Sequence, residues 1–231
     1  MSLLFYLLYA VVYLFLLAYG ALLFRSRRRL GTLLLLLVTF GVFYDNLLLS
    51  LGNFLGDGPL LYTLSVPRFV LHQVVLPWII YAGYEQARQA GHGWAQQPAL
   101  RWGMAVLSAL VMAAGIATRL WGLHLEPTIM DGVVRYVAVG VSGPPIVSIV
   151  SIGLFAFIGA PFWRWNGWPW IVLATIAVFI GETLPDEGLR RAIGSALEVI
   201  FLAVLFVTQQ RLDTNQLAAM PHQVADHYHQ P

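Results

Sequence analysis

Seven apolar segments, each long enough for a membrane-spanning helix, limit what this chain can fold into. A helix that crosses the hydrocarbon core of a bilayer needs about 20 predominantly apolar residues. Of the 231 residues, 59% are hydrophobic and only 10% are charged, a composition too apolar for a soluble domain. We therefore predict an all-α, polytopic membrane protein, a bundle of seven transmembrane helices at residues 2–24, 30–55, 66–85, 101–123, 144–163, 168–185 and 190–211.

The same segments predict the domain organisation and the orientation. Residues 1–211 are expected to form one transmembrane domain, and the polar residues 212–231 a flexible C-terminal tail. Four arginines fall within residues 25–29, directly after the first helix. Basic loop residues favour the cytoplasmic side, so we expect the N-terminus outside and the C-terminus in the cytoplasm. We expect the host to be the inner, or cell, membrane of a bacterium.

The spacing of polar residues indicates a parallel repeat of three helices, one linking helix and three helices. In each half, the middle helix carries an acid near its outer end, Asp45 or Glu182. The next helix then carries a polar residue a few turns in, His72 or Glu198. We therefore expect the two halves to place matching polar groups at one depth in the membrane.

Two absent residue types exclude whole classes of chemistry. The sequence has no cysteine, so it forms no disulfide and offers no thiolate. It also has no lysine, because all 13 basic residues are arginine, so Schiff-base chemistry is excluded. Nothing resembles a phosphate-binding glycine loop or a nucleic-acid-binding face. We expect a hydrophobic small molecule or lipid as substrate, membrane lipids as neighbours, no nucleic acid, no cofactor and no metal.

A layer of ionisable side chains marks the candidate site. Asp45 lies well inside an apolar run, where a carboxylate is costly and therefore indicates function. At about 1.5 Å of rise per residue, Asp45, His72, Glu182 and Glu198 all fall in the outer half of the bilayer. Asn46 and Gln73 are their neighbours in sequence. We predict that these groups line one cavity.

Spacing within the layer suggests how its members pair. Arg68 and His72 are four residues apart and share a helix face, so one carboxylate, Asp45, could bridge both. Such a pair could also do no more than lock two helices together. Glu198 has no basic residue within one turn in sequence, so we expect it to be protonated and able to act as a general acid.

The segment from Tyr44 to Phe54, which reads Tyr-Asp-Asn followed by five residues and Gly-Asn-Phe, carries a family resemblance. It resembles the aromatic-Asp-Asn-x5-Gly-x-aromatic helix of the integral-membrane lycopene cyclases of bacteria and fungi. Pro67 stands where the proline of that family's Pro-x-Glu-Glu motif would be, but Arg68, Phe69 and Val70 follow it, so the glutamate pair is missing. Heptahelical terpene cyclases of similar size are a second comparison.

This resemblance implies an enzyme that protonates an isoprenoid double bond or epoxide and guides the carbocation in a water-poor cavity. Asp45 or Glu198 would be the acid. His72 and Tyr44 would relay the proton or act as the final base. Substrate contacts would come from polar side chains and aromatic faces, which stabilise cations: Asn46, Arg68, Gln73, Trp78 and Trp121.

Three other functions fit parts of the pattern. A transporter or proton-coupled carrier could use Asp45, Arg68 and His72, with Pro77 breaking a helix. A single haem b would need two axial histidines, and His72 and His124 are the pair near predicted spans. A zinc hydrolase would need about three ligands, for which Asp45, His72 and Glu182 are candidates.

Overall fold

A computed structural model describes residues 2–140, 146–185 and 187–218. The chain is mostly helical, with 81% of residues in helices. The helices and strands, in chain order, are α1 (Ser2–Arg27), α2 (Leu30–Leu55), α3 (Pro59–Val74), α4 (Trp78–Gln89), α5 (Pro98–Gly115), β1 (His124–Met130), β2 (Val133–Val139), α6 (Ile146–Asn166), α7 (Trp170–Glu182) and α8 (Glu187–Ala218). A short 3₁₀ helix, Gly93–Gln96, precedes α5, and a π-helical turn, Ile116–Leu120, extends it.

Five apolar helices are long enough to cross a membrane, which is compatible with a membrane protein. They are Leu3–Arg27, Leu30–Leu55, Pro98–Leu120, Val147–Asn166 and Ile193–Gln216. The bent pair α3 and α4 would make a sixth span. By contrast, α7 has 13 residues and is about 20 Å long, which is short of a hydrocarbon layer of about 30 Å.

The third predicted helix differs from the structure at both its start and its middle. The residues from Gly56 to Ser65 were expected to form a loop, but α3 already begins at Pro59. Proline suits the first turn of a helix because its fixed φ is helical and its missing N–H needs no partner. The chain then breaks at Pro77 and bends by 42° between α3 and α4. A proline has no N–H to donate within a helix, which explains the break.

A β-hairpin between α5 and α6 departs from the all-α prediction. Strands β1 and β2 pair antiparallel, with Met130 opposite Val133. Asp131 and Gly132 form the two-residue turn, and both have positive φ, 55° and 78°. Asp-Gly is a preferred sequence for a type I′ turn, whose twist matches that of the paired strands. The β-branched and aromatic residues of β2, Val-Val-Arg-Tyr-Val-Ala-Val, favour a strand and are the local signal for this hairpin in the sequence.

The core lies where α4 passes between α2, α5, α6 and α8. Ile80, Tyr84, Phe155 and Phe206 are fully buried there. Large apolar side chains on the outer faces, such as Phe157 with 78% of its surface exposed, are suited to contact with lipid. The described part of the chain is therefore apolar both inside and on its flanks.

The two ends of the bundle carry different polar contacts. At the hairpin end, Asn53 of α2 donates to the Gly132 carbonyl, 2.8 Å away, and Arg135 of β2 donates to the Tyr6 hydroxyl of α1, 3.0 Å away. At the opposite end, which we call the arginine end, Arg29 before α2 pairs with Asp213 of α8 at 2.8 Å. Helix α8 thus continues beyond residue 211 to Ala218, so the predicted tail boundary lies inside a helix.

Candidate functional site

A cavity of about 270 Å³ opens among α2, α3 and α8 at the hairpin end. Helices α1, α4, α6 and α7 and strand β2 complete its wall. The wall is mainly apolar, with side chains such as Val38, Leu71, Ile79, Ile152 and Phe201. Its polar members are Tyr6, Asp45, Arg68, His72, Arg135, Ser148, Arg190, Ser195 and Glu198.

Asp45 and Arg68 form an ion pair that joins α2 to α3 at the wall of this cavity. The Arg68 side chain is 14% exposed and the Asp45 side chain 35%. Arg68 also donates to the Tyr136 carbonyl at 3.4 Å, and its guanidinium lies 4.8 Å from the centre of the Phe69 ring. An ion pair requires the charged carboxylate, so Asp45 has no proton to donate while the pair stands.

His72 lies one helical turn after Arg68 and borders two cavities. The second cavity, of about 390 Å³, shares Asp45, Arg68, His72 and Ser148 with the first and extends towards α5 and the hairpin. Gln73, which is buried, lines this second cavity and not the first. The imidazole is therefore positioned to move a proton between the two spaces.

Helix α8 supplies the second acid of the first cavity. Glu198 is half-buried and follows Gly194 and Ser195, which line the same wall. Arg190, two turns earlier, also lines the cavity and donates to the Leu184 carbonyl at 3.3 Å. The structure thus brings Asp45, Arg68, His72 and Glu198 to one space. The side chain of Glu182 lies outside the described residues.

Arg135 is the site residue that the sequence analysis missed. It lies between the fourth and fifth predicted helices, outside every predicted span, yet it is 7% exposed and lines the first cavity. It donates to the Tyr6 hydroxyl, and its guanidinium lies 5.7 Å from the Tyr6 ring centre. Its Nε atom is buried and has no hydrogen-bond partner within the described part of the chain.

Four expected site residues lie outside both cavities. Tyr44 donates its hydroxyl to the Leu64 carbonyl at 2.8 Å and so joins α2 to α3. Asn46 is 2% exposed and donates to the Val42 carbonyl, 2.9 Å away in its own helix. Trp78 packs against the main core, and Trp121 is 86% exposed. Backbone carbonyls and packing hold the first three in place, and none of the four lines either cavity.

The structure places the residues of the haem and zinc alternatives only in part. His124 opens β1 and is exposed, whereas a haem needs a second histidine on a helix that faces His72. Within the described ranges, no group of three or more His, Asp or Glu side chains is placed to hold a metal ion. The third ligand considered, Glu182, has its side chain outside those ranges.

Comparison with known proteins gives no family for this chain. No protein-family model matches the chain, and no curated protein matches its sequence. The resemblance to lycopene cyclases therefore rests on the Tyr44–Phe54 segment alone. The shape and chemistry of the cavity carry the functional argument.

Proposed function

We propose that this protein is an integral membrane enzyme that acts on a hydrophobic, isoprenoid-type substrate by acid and base chemistry in the first cavity. One observation carries the proposal: an apolar space inside the bundle holds an ion pair, an imidazole and a second carboxyl group. Ionisable groups inside a membrane bundle are costly and are usually kept for function. The apolar wall suits a hydrocarbon chain.

Each polar group of the cavity is assigned a role in moving protons or in positioning the groups that do. We assign the general acid to Glu198, the carboxyl group that α8 brings to the cavity, which would pass its proton to a double bond or an epoxide oxygen. The carbocation would close a ring by forming a carbon–carbon bond, with the face of Phe201 available to stabilise it. His72 would then remove a proton from an adjacent carbon and restore a double bond. The pair of Asp45 and Arg68 would fix α2 against α3 and orient His72.

The membrane topology is part of the proposal. Seven crossings would result if α1, α2, the bent α3–α4 pair, α5, α6, α7 and α8 each cross the membrane, with α7 spanning a locally thinned bilayer. The four arginines within residues 25–29 favour the arginine end as cytoplasmic, which puts the N-terminus and the hairpin outside. The inner membrane of a bacterium suits this orientation, and the parallel repeat of three helices on either side of α5 stays a prediction.

The test is lipid mass spectrometry of cells with and without the gene, followed by variants of the cavity. We expect the gene to convert one isoprenoid lipid into an isomer of equal mass, since cyclisation and isomerisation gain and lose no atoms. Glu198→Gln and His72→Ala should each lower turnover by about 100-fold or more, because positioned acid–base groups contribute factors of this size. Asp45→Asn should also lower turnover, because His72 loses the ion pair that orients it. Tyr44→Phe is the matched control, since that hydroxyl lies outside the cavity.

Protein stability separates the enzyme from a purely structural ion pair. We expect Glu198→Gln and His72→Ala to purify in detergent with melting temperatures close to that of the unmodified protein, and Asp45→Asn to lose some stability because it leaves Arg68 without its counter-ion. An equal loss of stability and activity in all three would mean that these groups only hold the helices together. Lipid profiles that do not change with the gene would reject the enzyme.

A carrier is the second candidate, and the break between α3 and α4 favours it. Transporters often place their binding sites at broken helices, and Val75 and Leu76 at this break line the first cavity. Uptake into sealed vesicles that requires the protein and is lost in Asp45→Asn would support a carrier. Chemical conversion of a lipid by purified protein in detergent, where no gradient exists, would support the enzyme.

A further inference from the structure

The first cavity contains more cationic than anionic groups. Its wall holds three arginines, Arg68, Arg135 and Arg190, and two carboxyl groups, Asp45 and Glu198. Arg68 pairs with Asp45, and Arg190 donates to a backbone carbonyl. Arg135 is the most informative of the three because its known contacts are to Tyr6, a neutral side chain.

Burying the charged guanidinium of Arg135 costs free energy unless a ligand in the cavity offsets the charge. The residue is 93% buried, and its Nε is among the buried polar atoms that have no partner in the described part of the chain. A buried donor without a partner loses its hydration and gains nothing in return, and the loss is larger for a charged group. Arg135 also lines the cavity, so an anion bound there would offset its buried charge.

The hairpin holds Arg135 at the cavity with several contacts. Asn53 of α2 donates to the Gly132 carbonyl and accepts from the Val134 amide, at 2.8 and 2.7 Å. Tyr136 donates its hydroxyl to the Asp57 carbonyl at 2.6 Å. These contacts flank Arg135 on both sides, so its guanidinium is positioned before any ligand arrives, which lowers the ordering cost of binding.

We propose that the first cavity binds an amphiphile whose anionic head, a phosphate or a carboxylate, accepts hydrogen bonds from Arg135. The apolar chain lies along the wall formed by residues such as Val38, Leu71 and Ile152. This proposal rests on the proposed function, since it names the substrate class of the same cavity. It differs in requiring a charged head group, which a neutral hydrocarbon substrate lacks.

The experiment compares matched pairs of ligands on the full-length protein in lipid nanodiscs. The probes are radiolabelled farnesyl phosphate against farnesol, and oleate against oleyl alcohol. We expect the phosphate, the carboxylate or both to bind at least about tenfold more tightly than the matched alcohol, the size of one charge-assisted hydrogen bond. Preference for the phosphate alone or the carboxylate alone identifies the head group. Alcohols that bind as tightly as both anions would overturn the proposal.

Variants assign the preference to Arg135. Arg135→Gln should remove the preference for the anionic probe and leave alcohol binding unchanged, while Arg135→Lys should keep part of it. Arg164→Gln, which removes an exposed arginine at the end of α6, is the charge-matched control and should bind like the unmodified protein. An equal loss of anion and alcohol binding in Arg135→Gln would show a structural role and reject the assignment.

The binding experiment and the lipid experiment test the anion site and the enzyme separately. Preferential binding of an anion with no chemical conversion in the lipid experiment would reject the enzyme and leave this inference standing. Conversion of a neutral lipid with no anion preference would reject the inference and leave the enzyme standing. If Arg135→Gln does not fold, the comparison of anion with alcohol binding in the unmodified protein still tests whether the cavity prefers an anionic head group.

Discussion

Gly52 is the residue that allows the hairpin to pack directly on α2. A Cβ atom added there would lie 2.0 Å from the Val134 carbonyl oxygen, which belongs to the backbone of β2. Backbone cannot rotate away as a side chain can, so any larger residue must push the hairpin outward. The position of Arg135 at the cavity thus depends on the absence of a Cβ atom at Gly52 of α2.

We expect Gly52→Ala to detach or shift the hairpin and to destabilise the protein by about 1–3 kcal/mol, the usual cost of overpacking. The displaced hairpin should expose Arg135, so trypsin should cut after Arg135 faster in detergent. Thermal unfolding and mass spectrometry of the tryptic fragments measure the two effects.

Gly103→Ala is the control for Gly52→Ala. Position 103 lies in α5, and an added Cβ there meets nothing within 4 Å. Alanine is the better helix former, so this variant should keep or slightly raise stability. Equal cleavage rates after Arg135 in the two variants would show that Gly52 does not position the hairpin.

At the scale of whole elements, the last turns of α8 fasten the arginine end of the bundle. Asp213 is 6% exposed and accepts hydrogen bonds from Arg29 at 2.8 Å, Gln89 at 2.7 Å and Gln209 at 3.2 Å. These donors come from the start of α2, the end of α4 and α8 itself. One carboxylate therefore ties three helices together in a region that sequence polarity suggested was a tail.

We expect Asp213→Asn to destabilise the protein by about 1.5–3 kcal/mol, the usual contribution of a hydrogen bond to a charged group. The substitution keeps the shape of the side chain but leaves the partly buried Arg29 without its counter-ion. Thermal unfolding in detergent measures the loss. Asp57→Asn, at an exposed turn of the hairpin end, removes the same charge and should be neutral. A melting temperature unchanged by Asp213→Asn would show that the cluster contributes nothing to stability.

At the scale of the whole molecule, the membrane path depends on whether the bent α3–α4 pair crosses the bilayer. Ser26 lies in the last turn of α1 at the arginine end, and Asp131 lies at the tip of the hairpin. Three candidate membrane crossings separate them: α2, the α3–α4 pair and α5. A crossing pair puts the two positions on opposite sides of the membrane, whereas a re-entrant pair puts them on the same side.

The absence of cysteine makes this path measurable, since a single introduced thiol is the only one in the chain. We expect Asp131→Cys to react with a membrane-impermeant maleimide in intact cells, and Ser26→Cys to react only after permeabilisation. Thr183→Cys, at the end of α7, should behave like Asp131→Cys. Labelling of Ser26→Cys and Asp131→Cys from the same side would mean that α3 and α4 form a re-entrant loop. The reversed pattern would invert the orientation.

The sequence by itself determined the class of protein and part of the site. Runs of about 20 apolar residues can satisfy their backbone in a bilayer only as helices, so the membrane class could be derived from composition and length. Asp45 and Arg68 could be paired because helix spacing and depth are fixed by a constant rise per residue. These features follow from local geometry and need no knowledge of how distant segments meet.

Only the tertiary structure decided the rest of the cavity. Arg135 meets Tyr6 across 129 residues of sequence, and it reaches the cavity because Gly52 lets a hairpin lie on α2. Tyr44 and Asn46, which belong to the motif around Asp45, instead bond to backbone carbonyls. Side chains adjacent in a motif point in different directions on a helix, and groups far apart in sequence converge only when the helices pack. Whether a side chain is buried, and which group it bonds to, depends on how the helices pack. Local sequence patterns do not specify that packing.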